Sequence, residues 1–82
     1  MASEILFFTA PWRKACLSVK AEIERLHLTV TEVDIDLNPD IQKKWNVQGL
    51  PTLMLTFDGK EHQREVGSTP CIRFARMLAE MG

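Results

Sequence analysis

The chain has 82 residues, 45% of them hydrophobic and 26% charged, and a formal net charge of -1. That length leaves room for one modest core and no second domain, so a single domain over residues 1–82 is expected, and the balance of apolar and charged residues excludes a disordered, collagenous or low-complexity chain. A nearly neutral chain gives nucleic acid no electrostatic footing, since phosphates are held by clustered Lys and Arg, and it gives no reason to expect membrane binding. The opening segment, Met1 to Phe8, lacks the basic n-region and longer apolar stretch of a secretory signal. No later run approaches the roughly 20 apolar residues that span a bilayer, and the expected location is the cytoplasm.

Glu4 to Thr9 is an apolar run followed by Ala10-Pro11, the pattern of a short buried strand. From about Arg13 to Leu26, Cys16, Val19, Ile23 and Leu26 recur at three- and four-residue steps with Lys20, Glu22, Glu24 and Arg25 between them, which predicts an amphipathic helix. Thr29 to Ile35 carries β-branched residues in partial alternation and predicts a second strand. Asn38-Pro39-Asp40 then offers a turn before a short helix over Asp40 to Trp45. Leu53 to Phe57 and His62 to Val66 are strand-like runs joined through Asp58-Gly59, a strong hairpin signal. After Gly67, Ser68 or Thr69 can cap a helix with Pro70 at its first position and Ile72, Phe74, Ala75, Leu78 and Met81 on its apolar face.

The order βαβ-α-ββα predicts an α/β fold. Its first two strands pair in parallel through a right-handed crossover, and the closing hairpin extends the same sheet antiparallel. The result is a central mixed four-stranded sheet with helices on both faces.

Four local signatures resemble the thioredoxin family. Phe8-Thr9-Ala10-Pro11-Trp12-Arg13-Lys14-Ala15-Cys16 is similar to its strand end, Ala-x-Trp and Cys-x-x-Cys, with Arg13 where the first cysteine belongs. Val33-Asp34-Ile35-Asp36-Leu37-Asn38-Pro39 resembles its following strand and turn. Val47-Gln48-Gly49-Leu50-Pro51-Thr52-Leu53 resembles its segment around a cis-proline, and Val66-Gly67 its glycine before the last helix. The match covers nearly the whole chain, without the N-terminal strand and helix of full-length thioredoxins. Leu50-Pro51 is closer to thioredoxins than to the Thr-Val-Pro of glutaredoxins, which weakens the case for glutathione.

The resemblance implies a minimal thioredoxin fold and membership among thiol-disulfide oxidoreductases, whose chemistry needs an attacking thiolate and a second thiol to resolve the mixed disulfide. Arginine remains protonated and is no nucleophile. Cys16 aligns with the resolving cysteine, on the apolar stripe of the first helix; it reads either as a buried inert thiol or as a single reactive thiol favoured by Arg13 and Lys14. The carboxylate that the family often buries six residues before its first cysteine, and the lysine beside it, correspond to Phe7 and Glu32. Cys71 lies near the start of the last helix, where a thiolate would be favoured, and a pairing with Cys16 competes with the reading of two unrelated thiols. His27 and His62 have no ligand spacing with either cysteine or with each other, so no metal is expected; no cofactor is expected either.

The residues that the family uses to grip an extended partner correspond to Trp12, Leu50, Pro51 and Gly67, with Lys14 beside them. Structural roles are open for the same residues: Trp12 as cover for the helix end, Pro51 as a fixed turn, Gly67 as a positive-φ position. Arg13 and Lys14 oppose the helix dipole, which an anionic ligand or acidic partner would relieve and which solvation also tolerates. Three functions follow: a protein-binding member lacking ordinary dithiol exchange, an oxidoreductase acting through Cys16 with or without Cys71, or an Arg13 variant of an active parent. Insulin-disulfide reduction separates them. Oligomeric state is not legible in the sequence.

Overall fold

The computed structural model describes residues 2–81. Its elements are β1 (Ser3–Thr9), α1 (Lys14–Arg25), β2 (Thr31–Asp34), α2 (Pro39–Lys44), β3 (Thr52–Phe57), β4 (Lys60–Val66) and α3 (Ser68–Met81). The four strands form one sheet in the order β2-β1-β3-β4. β1 runs parallel to β2, and β3 runs antiparallel to both β1 and β4. This is the expected mixed sheet.

Strand alternation sorts the core into two layers. Phe7, Leu53 and Leu55 point to one face and pack with Cys16, Val19 and Ile23 of α1 and Cys71, Phe74, Ala75 and Leu78 of α3. Leu6, Phe8 and Met54 point to the other, where Val33, Val47, Ile41 and Trp45 cover them. Helices therefore cover both faces, with α1 and α3 on one and α2 on the other.

Several boundaries differ from the sequence expectation, each for a reason outside the local pattern. β2 is shorter than Thr29 to Ile35 because its ladder with β1 runs only from Leu6↔Thr31 to Thr9↔Asp34. β4 reaches back to Lys60 because Asp58 and Gly59, at φ 51° and 79°, form the two-residue turn by themselves. α2 begins one residue early, with Pro39 in its first turn, where a missing N–H is harmless. In α3 the first helical carbonyl belongs to Gly67, which accepts the Cys71 N–H at 3.0 Å. Pro70 is thus the third helical residue, not the first, and still within the turn whose N–H groups have no intrahelical acceptor.

Past the C-cap of α1 at Leu26, His27 takes a φ of 54° that lets the Leu28 N–H return to the Ile23 carbonyl at 3.1 Å. The two helices of that face are joined by Glu22, which accepts hydrogen bonds from Arg25 at 2.6 Å and from Arg76 of α3 at 2.7 Å. Those two guanidinium groups, Arg25 first, hold the Glu22 carboxyl down from the ordinary 4.5 to about 2. A carboxylate with a depressed folded pKa stabilises the fold above its unfolded pKa and loses that contribution as protons return. Stability is therefore expected to fall as the pH drops from about 4.5 towards 2. In urea titrations across that window, Glu22→Gln should show a shallower pH slope than the native chain; equal slopes would count against the assignment.

Candidate functional site

The site lies where β1 ends and α1 begins. Arg13 is the N-cap of α1, in an extended conformation and with no side-chain cap hydrogen bond. Its N–H donates to the Ala10 carbonyl at 3.2 Å, and its own carbonyl accepts the Cys16 N–H at 3.1 Å. This tight turn exposes Trp12, Arg13 and Lys14 and sends Cys16 inwards. Trp12 is 60% exposed, yet its ring is fixed at one edge, since Nε1–H donates to Asp36 Oδ2 at 2.8 Å. The Arg13 guanidinium lies over that ring, 5.5 Å from its centroid, in cation–π range.

Leu50-Pro51 is cis. The Pro51 ring is buried, and the Pro51 carbonyl accepts the Gly67 N–H at 2.9 Å and the Cys71 S–H at 3.5 Å. Pro51 thus faces the core and ties the loop to the start of α3, while Leu50 and Gly67 are half-buried. The Leu50 N–H and C=O enter no hydrogen bond among the described residues. Gly67 has a φ of 100°, which fits the structural role left open for it. Gly49 had no assigned part in the sequence reading, but a Cβ there would come within 2.7 Å of Val66 Cγ1. Only a residue without a side chain lets the loop approach the end of β4 this closely.

Both thiols are free and belong to the same apolar cluster. Cys16 is 1% exposed. Cys71 is fully buried, and burial pushes its thiol up to about 12 despite its place near a helix start. The expected thiolate at Cys71 is thereby corrected: loss of solvent outweighs the helix end. Its S–H instead donates to the Glu65 carbonyl at 3.2 Å and to Pro51.

Phe7 and Glu32 are direct partners across the β1–β2 ladder. Phe7 is buried in the cluster that contains Cys16, while Glu32 is exposed and paired with Lys20 at 3.5 Å. The side chain that β1 places in the cluster with Cys16 is therefore an apolar ring. Among the described residues no group of three or more His, Cys, Asp or Glu side chains is placed to hold a metal ion. No helix among them is long and apolar enough to cross a membrane.

The Thioredoxin family model matches residues 2–80, nearly the whole chain. The chain belongs to the thioredoxin family. It is 37% identical over 68 residues to a thioredoxin of Chlamydia trachomatis, covering 77% of this chain and 67% of the relative. Against a thioredoxin of Rhodospirillum rubrum it is 33% identical over 69 residues, covering 77% and 66%. The chain thus spans about two thirds of the length of these relatives. Its backbone is similar to the crystal structure of Fasciola hepatica thioredoxin, with a TM-score of 0.82, 25% identity, and coverage of 96% of this chain and 79% of that one. The mixed four-stranded sheet flanked by helices is the thioredoxin fold.

Of the residues singled out in the sequence, Trp12, Arg13 and Lys14 form the exposed part of the site, with Leu50 and Gly67 half-buried beside the loop and Pro51 and Cys16 behind it. Cys71 lies deeper, as a tie between loop and helix. Asp36 is the residue that sequence reasoning missed as a site component. It stands in the Asp34-Ile35-Asp36 string, but its contact with Trp12 spans 24 positions and leaves no local signal.

Proposed function

We propose that this thioredoxin-family protein binds an extended segment of a partner protein at the Trp12 surface and lacks ordinary dithiol exchange. The observation that carries the reading is an exposed guanidinium, Arg13, at the α1 N-cap, where the family's attacking cysteine belongs, with Cys16 only 1% exposed behind it. Exchange needs two positioned thiols, one of them an accessible thiolate. Cys16 sits among apolar side chains with Phe7, and Cys71 has its thiol held protonated, so neither replaces the missing nucleophile. What supports binding is the surface around them: a ring held in place by Asp36, and Leu50 backbone groups free to accept an added strand. Two free buried thiols suit a reducing compartment, and the cytoplasm is the location we propose.

In an insulin-disulfide reduction assay with dithiothreitol, the native chain is expected to run at the background rate, and Cys16→Ser is expected to leave that rate unchanged. Robust turnover abolished by Cys16→Ser would overturn the reading in favour of a single-thiol oxidoreductase.

A further inference from the structure

Four of the cations have carboxylates of their own. Arg25 and Arg76 are tied to Glu22, Arg64 to Glu61, and Lys20 to Glu32. Of the six cations with no ion pair among the described residues, Arg13 and Lys14 are the two adjacent, exposed ones at the site. Asp36 is engaged by the Trp12 indole and makes no ion pair with Arg13.

The Arg13 guanidinium is nevertheless placed. It lies on a ring that is itself fixed by a 2.8 Å hydrogen bond, so part of its side-chain freedom is already lost before any partner arrives. Ordering costs less on binding when a group is held beforehand. A planar guanidinium offers paired N–H donors that match a carboxylate, and Lys14 adds a second positive charge. Trp12, 60% exposed, supplies apolar area beside Arg13 that a partner would cover, and Val66, 47% exposed, supplies more at the Gly49-Leu50 loop. Covering that area around unpaired cations penalises a neutral or basic partner and favours one that brings its own anion.

We infer that the partner segment held at this surface is acidic, with a side-chain carboxylate meeting Arg13 on its Trp12 platform; this rests on the binding function proposed above. Arg13 then determines specificity where the family places a nucleophile.

The test uses two synthetic peptides of equal length, an alternating Val-Glu peptide and its Val-Gln counterpart, titrated into the 15N-labelled chain while the Trp12 indole resonance is followed. Trp45→Phe assigns that resonance. At low ionic strength the Glu peptide is expected to bind about fivefold more tightly than the Gln peptide, with the preference shrinking as salt is added. Arg13→Gln should remove most of the preference, the Glu peptide losing more affinity than the Gln peptide. Equal affinities on the native chain, or a preference that survives Arg13→Gln, would overturn the inference and leave partner binding standing. If neither peptide moves the Trp12 resonance, the binding function itself falls, and the inference with it.

Discussion

Arg13→Cys is expected to reduce insulin disulfides at least about tenfold faster than the native chain, because it returns the accessible thiol that exchange requires. The new thiol would stand at the exposed N-cap of α1, beside Lys14 and the unbonded N–H groups of the first turn, all of which favour a thiolate. Cys16 is one turn further on, and its N–H already bonds the carbonyl of residue 13, so a resolving thiol is close at hand. Phe7 limits the gain, since the core behind Cys16 holds an apolar ring and no proton carrier. Adding Cys16→Ser to this variant should stop turnover after the mixed disulfide forms, which mass spectrometry would detect. An Arg13→Cys protein that folds normally yet stays at the background rate would show that an accessible thiol at residue 13 does not by itself confer exchange.

Phe7→Asp tests the other departure from the family pattern, and it is expected to unfold the chain at room temperature. Phe7 is 1% exposed in the centre of the cluster between the sheet and helices α1 and α3. Removing a buried aromatic side chain costs about 3–5 kcal/mol. An unpaired buried carboxylate adds several kcal/mol, against a total stability of roughly 5–15 kcal/mol for a domain. No compensating cation is available across the ladder, where the partner of Phe7 is Glu32, itself paired with Lys20. Circular dichroism melts should show no cooperative transition for Phe7→Asp, while Phe7→Leu, which keeps the site apolar, should melt within several degrees of the native chain. A Phe7→Asp protein with a native-like melting temperature would mean that water or a cation reaches this part of the core. In this chain the ring serves packing, and a carboxylate at residue 7 is expected to cost the fold.

Together the two variants separate chemistry from architecture. Residue 13 is exposed and exchangeable, so its identity governs reactivity with little effect on the core. Residue 7 is buried, so its identity constrains the fold first.

Much of the architecture was legible in local patterns. The three- and four-residue spacing of Cys16, Val19 and Ile23 identified the buried face of α1, because helical geometry alone brings those positions together. Asp58-Gly59 marked a hairpin because both residues tolerate positive φ, and both adopt it. The cis Leu50-Pro51 bond was implied by the family resemblance, and a positive φ was one open role for Gly67. The ends of β2 and the start of α3 were not, since a ladder stops where its partner stops and a helix begins where its first carbonyl finds a donor.

By itself, then, the sequence determined the element order and the faces that seek burial, both of which depend on contacts within a few residues. Only the tertiary structure decided that Cys71 is a buried tie instead of a thiolate, that Gly49 lets the loop meet Val66, and that Asp36 fixes Trp12 beneath the Arg13 cation. Those outcomes depend on solvent exclusion and on hydrogen bonds between distant segments, which exist only after the sheet and helices have packed.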